Sequence, residues 1–352
     1  MTYYNRFLKP ILHTLPAEAA HNAAVKALRT GSIPKQKIEP HAMLAQTISG
    51  MSFAHPVGLA AGFDKNAEAI FGLSQQGFSF VEAGTVTPLE QKGNPKPRLF
   101  RLPKDKAVIN RMGFNNKGLD VFESNFAKHK PNIEIVVGAN IGKNKDAPND
   151  SSDYLKGMER MLPIADYITV NISSPNTQGL RDMQARDSLT ELLSDIQSCK
   201  QQFASTTPIW LKLAPDMSDS ELSDACAIAQ QYQMDALIIS NTTIGRRNRL
   251  VDQKRAQEQG GLSGRPLFGL ATSVLRQTRR HTKGSIPLIG VGGISNAGDA
   301  YTKIKAGASL VQLYTALIYD GMGVVKDIVN TLPTLIGQDG FEHISQATGC
   351  DC

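Results

Sequence analysis

Cysteine is scarce in this sequence, and its four residues follow no spacing typical of a zinc site or a disulfide framework. They are Cys199, Cys226, Cys350 and Cys352. A reducing compartment and no metal site are therefore expected. Long apolar runs are also absent. None reaches the length that a bilayer-spanning helix needs, and no cleavable signal segment is expected.

Features of nucleic-acid-binding proteins are missing as well. The formal net charge of +6 and the pI of about 9.0 permit attraction to anionic surfaces. The basic residues are scattered, however, and no recognised nucleic-acid motif accompanies them. A solvated basic surface is therefore favoured. Charged residues make up 20% of the chain and hydrophobic residues 41%, a balance that indicates a folded globular protein.

The N-terminal residues carry a repeating apolar stripe. Apolar side chains recur every four residues in two adjacent rows, as on one face of a helix. The rows are Tyr3, Phe7, Ile11 and Leu15, and Tyr4, Leu8 and Leu12. Pro10 predicts a kink or a split into two short helices, and a second helix is predicted after Pro16 as far as Thr30. The stripe either packs on the rest of the protein, which the residues alone favour, or lies in a membrane interface.

From about residue 46 the chain alternates short apolar runs with helix-like segments, which is typical of parallel α/β proteins. Eight strands are predicted, at residues 57–61, 78–85, 135–140, 167–171, 209–213, 236–241, 288–292 and 310–314. No tandem repeat or linker divides them, so residues 46–336 are predicted to form one domain. Eight parallel strands can close into a (β/α)8 barrel, which leaves no edge exposed.

The predicted strands are apolar in their bodies and become polar or glycine-rich at their C-terminal ends. The fourth strand leads into Asn-Ile-Ser-Ser-Pro-Asn-Thr at residues 171–177, which holds two amides, three hydroxyls and no charge. Buried polar groups need partners, so these side chains either face a ligand or belong to a polar loop that caps the next helix. Active sites of such barrels are built from several strand ends, and we expect a ligand site there.

Glycine-rich segments near the last two strands predict a phosphate-bearing ligand. Gly-Gly-Leu-Ser-Gly occupies residues 260–264 and Gly-Val-Gly-Gly residues 290–293. Glycines let backbone N–H groups approach an anion, and barrels often bind phosphate at this position. Turn glycines are the alternative.

Lys212 is a charge between apolar residues of a predicted inner strand. A buried lysine needs an anionic or hydrogen-bonded partner. It could form a Schiff base or hold a cofactor that develops negative charge. A surface lysine is the alternative, which the strand context disfavours.

Seven ordered motifs resemble those of dihydroorotate dehydrogenases. They are Ala-Ala-Gly-Phe-Asp-Lys at 60–65, Gly-Asn-Pro-Lys-Pro-Arg at 93–98, Asn-Arg-Met-Gly-Phe-Asn at 110–115, the segment 171–177, Ser-Asn-Thr-Thr at 240–243, Gly-Leu-Ser-Gly-Arg-Pro at 261–266 and Val-Gly-Gly-Ile at 291–294. The resemblance extends over roughly residues 1–336. It implies an α/β fold, namely an FMN-binding (β/α)8 TIM barrel with a small N-terminal helical domain.

Ser174 stands where this family has its catalytic base, and soluble members usually have cysteine there. Together with the N-terminal extension, the serine resembles the quinone-dependent, membrane-associated class 2 enzymes. This implies oxidation of (S)-dihydroorotate to orotate in pyrimidine biosynthesis, with FMN as hydride acceptor and a membrane quinone as final acceptor. A soluble class 1-like enzyme and a phosphate-binding lyase or isomerase that uses Lys212 are the alternatives.

The resemblance also implies the binding residues. Those for orotate are Lys65, Asn110, Arg111, Met112, Gly113, Phe114, Asn171, Asn176, Asn241 and Thr242. Those for FMN are Ala61, Gly62, Phe63, Asp64, Lys65, Thr85, Asn140, Asn171, Lys212, Ser240, Gly264, Gly293, Tyr314 and Thr315. His21 and Arg101 resemble polar quinone contacts, and the insertion at 91–115 is expected to place Arg101 and Asn110 over the barrel mouth.

The remaining expectations concern organisation. Residues 1–45 are expected to form the quinone-tunnel domain and residues 337–352 a tail without an assigned role. The charged segment 246–259 is expected to be a mobile lid. A monomer, bound peripherally at the cytoplasmic face of the cell membrane and without nucleic acid, is implied.

Overall fold

The structure is a computed structural model that describes residues 4–148, 151–177, 179–245 and 250–352. The strands are β1 (Gln46–Ile48), β2 (Met51–Phe53), β3 (Val57–Leu59), β4 (Phe80–Val86), β5 (Leu99–Leu102), β6 (Ala107–Asn110), β7 (Val136–Ile141), β8 (Tyr167–Asn171), β9 (Ile209–Leu213), β10 (Ala236–Ile239), β11 (Gly261–Gly264), β12 (Leu288–Val291) and β13 (Ala308–Leu313). The α-helices are α1 (Lys9–Thr14), α2 (Ala17–Arg29), α3 (Ile70–Ser74), α4 (Leu119–His129), α5 (Ser152–Met161), α6 (Arg186–Gln202), α7 (Asp219–Gln231), α8 (Gln253–Ala256), α9 (Phe268–Thr282), α10 (Ala297–Lys305), α11 (Thr315–Asp320), α12 (Gly323–Gln338) and α13 (Ile344–Ala347).

Eight strands close into a parallel barrel, as the sequence predicts. Their order around the barrel is β10, β12, β13, β3, β4, β7, β8 and β9, and each pairs in parallel with its neighbours. All eight predicted strands are present, with ends shifted by one or two residues. Strand β10 ends at Ile239 instead of residue 241. Ser240 and Asn241 therefore lie beyond the strand, where their side chains can reach the mouth.

Large aromatic side chains fill the barrel interior because two glycines make room for them. A Cβ at Gly58 would lie 2.4 Å from the ring of Phe80, and one at Gly138 would lie 2.1 Å from the ring of Tyr167. Tyr167 in turn stacks on Trp210, with ring centroids 3.7 Å apart. The interior is thus a packed core, and ligand space is left at the mouth.

The opposite end of the barrel is closed by the β1–β2 hairpin, which is antiparallel. Phe53 of this hairpin is buried and meets Phe80 edge to face, with ring centroids 5.3 Å apart. Ile48 and Met51 pack on the same cluster. The hairpin therefore seals the apolar interior from water.

The C-terminal segment is part of the folded body. Helix α12 continues across residue 336, so the tail predicted to begin at residue 337 starts inside this helix. Ile344 and Ala347 of α13 are buried. The His343 ring, which caps α13, also lies 2.8 Å from the carbonyl oxygen of Ala45. The tail thereby covers the start of the barrel domain.

The N-terminal residues form a π-helical turn at Tyr4–Leu8, then α1 and α2. Pro10 lies in the first turn of α1, where its missing N–H leaves no helix bond unmade, so the predicted division into short pieces is found. Tyr3 lies outside the described residues. Phe7, Leu8, Ile11 and Leu15 are exposed, whereas the Tyr4 hydroxyl donates to the carbonyl oxygen of Ile318 at 2.8 Å. Among the described residues, no helix combines the length and apolarity that a membrane crossing requires.

A three-stranded antiparallel sheet, β5–β6–β11, stands over the mouth. The sequence predicts the insertion at 91–115 but not its pairing with residues 261–264. Part of the predicted lid, residues 246–249, lies outside the described residues. The following backbone N–H groups of Val251 and Asp252 donate to the Asp105 carboxylate at 2.7 and 3.1 Å, which ties this segment to the turn between β5 and β6.

Candidate active site

The C-terminal ends of the barrel strands surround one large cavity, with an empty volume of about 1420 Å³. This volume includes open solvent at the mouth of the cavity. It is lined by most of the residues that the sequence singles out, namely His21, Ala61, Gly62, Lys65, Thr85, Asn110, Met112, Gly113, Phe114, Asn171, Ser174, Asn176, Lys212, Ser240, Asn241, Thr242, Gly264, Gly293, Tyr314 and Thr315.

Chain-internal hydrogen bonds fix the amides in the cavity wall. Asn171 Nδ2 donates to Thr85 Oγ1 at 3.0 Å and to Asn140 Oδ1 at 3.2 Å, and its Oδ1 accepts from Ser173 Oγ at 2.8 Å. Asn241 Nδ2 donates to the same Ser173 hydroxyl at 2.9 Å. Rotamers held in this way present a preorganised surface to a planar polar ligand.

Ser174 lies in the loop after β8 with its hydroxyl at the cavity. Its Oγ accepts the backbone N–H of Asn176 at 3.2 Å, and within the described ranges it donates to no protein group. Three residues further on, Thr177 Oγ1 is buried and has no partner among the described residues. The hydroxyls of Ser174 and Thr177 thus both lack an acceptor among the described residues, although buried polar groups are usually paired.

Two of the cationic side chains that line the cavity are buried lysines. Lys65 Nζ donates to the Gly62 carbonyl at 2.7 Å, and burial lowers its pKa to about 8. Lys212 makes no hydrogen bond to other described residues; burial lowers its pKa, and the Glu82 carboxylate partly offsets that effect. A buried lysine that faces a cavity without a partner suits an anionic group in that cavity.

A glycine cradle forms one side of the mouth. Gly264 has φ +90°, and a Cβ there would lie 2.4 Å from the carbonyl oxygen of Lys106. Gly293 has φ +82°, and a Cβ there would lie 2.6 Å from Cα of Phe268, the first residue of α9. Only glycine fits these positions, and the bare backbone beside a helix N-terminus can receive a phosphate.

His21 of α2 lies at the end of the cavity nearest the N-terminal helices. Burial, with the nearby Lys65 charge, lowers the pKa of His21 to about 3, so its imidazole is neutral. Its ring meets Phe63 edge to face, with centroids 5.3 Å apart. Leu99, Ile318 and Tyr319 line the same cavity, and His13 of α1 contacts both Ile318 and Tyr319, so the cavity extends towards α1 and α2.

Five of the predicted residues do not line the cavity, and three of these lie behind its wall. Asn140 supports Asn171, as described above, and Phe63 packs on His21. The Asp64 carboxylate accepts the backbone N–H groups of Glu68 and Ala69 at 2.9 and 2.7 Å, and burial raises its pKa to about 6. These positions shape the wall from behind.

The two remaining residues are both arginines. Arg111 pairs with Glu258 at 2.8 Å and lies 4.6 Å from the Phe100 ring centroid. Arg101 donates to the carbonyl oxygens of Leu12, His13 and Leu15 at the end of α1. Arg101 therefore fixes α1 against the sheet over the mouth, and its predicted quinone contact stays a prediction.

Sequence reasoning missed several lining residues, including Leu99, Val108, Ser263, Leu267, Gln312, Ile318 and Tyr319. It also missed Glu82, a buried carboxylate within the apolar run of β4. The signal for Glu82 was present, because it is a charge in a predicted inner strand, like Lys212. Within the described ranges, no group of three metal-ligating side chains occurs.

The cavity combines buried lysine charge, uncharged amides and a glycine cradle. This combination suits a cofactor that carries both a phosphate and an electron-accepting ring. These features define the class of site, a barrel mouth suited to a flavin-type cofactor.

Comparison with known proteins gives the family. Residues 43–336 match the family model "Dihydroorotate dehydrogenase". A Bradyrhizobium sp. (strain BTAi1) protein named dihydroorotate dehydrogenase (quinone) is 47% identical over 352 residues, which cover 99% of this chain and 96% of that protein. A mitochondrial Arabidopsis thaliana protein of the same name is 42% identical over 373 residues, with 98% and 81% coverage. The chain belongs to the dihydroorotate dehydrogenase family.

Solved structures agree with this assignment. The crystal structure of Eimeria tenella DHODH in complex with ferulenol superposes with a TM-score of 0.92 at 40% identity, and the match covers 95% of each chain. The ligand-free structure from the same organism gives a TM-score of 0.91 at 40% identity, covering 95% of this chain and 99% of that one.

Proposed function

We propose that the protein oxidises (S)-dihydroorotate to orotate in pyrimidine biosynthesis, with FMN as hydride acceptor and a membrane quinone as final electron acceptor. The observation that carries this proposal is the position of Ser174, whose hydroxyl reaches the same cavity as Lys65 and the amide array. A base, a cation and paired amides in one space are what a pyrimidinedione carboxylate requires.

The substrate is held by the amides and by Lys65. Asn110, Asn171, Asn176 and Asn241 can each donate and accept hydrogen bonds, which matches the alternating N–H and C=O groups of the ring. The Lys65 ammonium offsets the substrate carboxylate. Arg111, Met112, Gly113, Phe114 and Thr242 complete the proposed binding set.

FMN would be held by the residues that the family motifs assign, with the glycine cradle at Gly264 and Gly293 for its phosphate and Lys212 at its ring. When bound, FMN supplies an acceptor for the hydride from C6 of the substrate. Lys212, whose ammonium has no other partner among the described residues, stabilises negative charge at that ring. The other proposed contacts are Ala61, Gly62, Lys65, Thr85, Asn171, Ser240, Tyr314 and Thr315, and Phe63, Asp64 and Asn140 of the family set would support them from behind the wall.

Ser174 takes the proton from C5 of the substrate. A serine hydroxyl is a weak base and must pass its own proton onward as it accepts one. Thr177 Oγ1 lacks a partner in the described part of the chain, and through intervening water it can relay that proton onward to bulk solvent. Arg181 fixes the loop, because its guanidinium donates to the carbonyl oxygens of Ser173 and Thr242 at 3.2 and 3.0 Å.

Quinone would enter past α1 and α2. Several relatives bear the name dihydroorotate dehydrogenase (quinone), and the passage lined by His21, Leu99 and Tyr319 is apolar. The exposed face with Phe7 and Ile11 suits a membrane interface. We infer a monomer that binds peripherally at the cytoplasmic face of the membrane through this N-terminal region.

Replacement of Ser174 tests the proposed base. Ser174→Ala should retain FMN and lower the rate of flavin reduction by dihydroorotate about 10²- to 10⁴-fold, the usual contribution of a general base. Rapid mixing under anaerobic conditions measures this rate. Ser79→Ala is the matched control, since Ser79 is a buried serine at the other end of the barrel and should leave the rate unchanged. A near-wild-type rate in Ser174→Ala across pH would contradict the assignment.

A further inference from the structure

Glu82 is a buried carboxylate inside the barrel that the reaction described above does not use. It lies in β4 with 1% of its surface exposed. Oε1 accepts from Asn140 Nδ2 at 2.6 Å, and Oε2 accepts from Gln312 Nε2 at 2.8 Å and from the Tyr167 hydroxyl at 3.2 Å. Glu82 does not line the cavity, so it is beyond the reach of either ligand.

Three donors are aimed at the two carboxylate oxygens, and an ionised carboxylate can accept hydrogen bonds at both of them. Burial, and then the Glu82 charge itself, raise the pKa of Tyr167 well above its ordinary value, so the phenol keeps its proton and donates it. An ionised carboxylate in an apolar interior needs an opposing charge as well as hydrogen bonds.

Lys212 shares the barrel interior with Glu82. Each follows by two residues an interior ring, Trp210 in β9 and Phe80 in β4, and the centroids of these rings lie 6.2 Å apart. Lys212 lies in β9 beside Asn171 of β8, its side chain reaches the cavity, and it makes no hydrogen bond to other described residues. Glu82 is the one charged group of the described chain that counteracts the effect of burial on its pKa. Lys65 lines the same cavity but is compensated by Glu18 and Asp64.

We propose that Glu82 is a positioning residue that acts through Lys212: it is the counter-ion that keeps this lysine charged towards the flavin, although it touches neither flavin nor substrate. The inference rests on the proposed function, because it requires a flavin in the cavity. Without Glu82, no carboxylate opposes the effect of burial, and the charged form of Lys212 is destabilised. The reduced flavin then loses a stabilising positive charge.

The test is the midpoint potential of the bound flavin in Glu82→Gln. Glutamine preserves shape, and because Gln312 Oε1 is buried without a partner in the described structure, Gln312 can flip to accept from the new amide. The proposal predicts that the bound flavin in Glu82→Gln favours its reduced form at least tenfold less than in wild type. For a two-electron couple this corresponds to a midpoint potential lower by about 30 mV. A raised or unchanged potential would overturn it, because removal of an anion near a lysine that stays charged favours the reduced flavin.

Two further variants isolate the route through Lys212. In a Lys212→Met background, Glu82→Gln should no longer lower the potential; a further decrease there would contradict the proposal. Tyr167→Phe removes a donor to Glu82 and leaves both charges in place, so it should retain the wild-type potential. If Glu82→Gln does not fold, the comparison of wild type with Lys212→Met decides, since equal potentials at neutral pH would mean that Lys212 is already uncharged.

Failure of the inference and failure of the proposed function have different signatures. A purified protein without bound flavin, or with a flavin that dihydroorotate does not bleach, contradicts the proposed function. A flavin that dihydroorotate bleaches normally, together with a raised potential in Glu82→Gln, contradicts only the role of Glu82.

Discussion

At the scale of a single residue, Lys303 is another buried charge near the site. It lies in α10. Its Nζ donates to the Val291 carbonyl oxygen at 3.2 Å and lies 5.2 Å from the ring centroid of Phe268. Burial lowers its pKa to about 7, although Asp299 partly offsets this. Its contacts join the end of β12 to the start of α9, the two elements that form the cradle.

The depressed pKa of Lys303 predicts a pH dependence of stability. The unfolded lysine has a pKa of about 10.4. Between about pH 7 and pH 10 the unfolded state therefore carries a proton on Lys303 that the folded state lacks. The free energy of unfolding should therefore rise with pH in this window, by up to about 1.4 kcal/mol per pH unit from this residue. Denaturant titrations of wild type and Lys303→Met measure the difference in slope. Equal slopes would show that Lys303 keeps an ordinary pKa.

Residues with unusual local chemistry could be predicted from sequence. Ser174 stands out because it belongs to a polar segment that ends an apolar strand. Lys212 stands out because its charge interrupts an apolar strand. Ile318 and Tyr319 could not be found in this way, because an apolar side chain that lines a passage has the same sequence pattern as one in the core. Arg101 could be located over the mouth, but its carbonyl partners in α1 depend on a contact between residues about 90 positions apart.

At the scale of an element, Arg101 anchors α1 together with His13, whose Nε2 lies 3.2 Å from the carbonyl oxygen of Ile318. Arg101 donates to carbonyl oxygens near the end of the helix, which otherwise lack intrahelical partners. The charge also suits the negative end of the helix dipole. Tyr4 adds one more hydrogen bond, to Ile318. The orientation of α1 at the passage therefore depends strongly on Arg101.

Arg101→Ala should raise the KM for quinone several-fold and leave flavin reduction by dihydroorotate unchanged, because it loosens α1 without disturbing the barrel. Steady-state assays with a long-chain quinone, beside rapid-mixing measurements of the dihydroorotate step, separate the two effects. Arg186→Ala is the control, since Arg186 pairs with Asp224 on the outer helices. Equal damage to both steps in Arg101→Ala would count against the assignment.

Element prediction succeeded where the signal is local. Each barrel strand is a short apolar run bounded by turn residues, so all eight were found. The sheet over the mouth was not, because β11 pairs with β6 across about 150 residues and its residues are largely glycine. Such a segment has almost no strand propensity of its own, and its pairing partner supplies the conformation.

At the scale of the whole molecule, the two proposed half-reactions occupy different parts of the chain. The barrel mouth holds the base, the amides and both lysines, while α1, α2 and the sheet over the mouth enclose the apolar end of the cavity. Substitutions in the barrel wall should therefore affect dihydroorotate oxidation, and those in the N-terminal helices should affect the quinone step. Sequence alone predicted the barrel, whereas the proposed membrane role of α1 is supported by its exposed apolar face.

The central claim is that dihydroorotate delivers its electrons to a flavin in this one cavity. Its most direct test is the visible spectrum of the purified protein under anaerobic conditions, before and after addition of dihydroorotate. We predict a yellow protein whose flavin absorption bleaches at once and returns when a quinone is added. A colourless protein, or a flavin spectrum that dihydroorotate leaves unchanged, would contradict the claim.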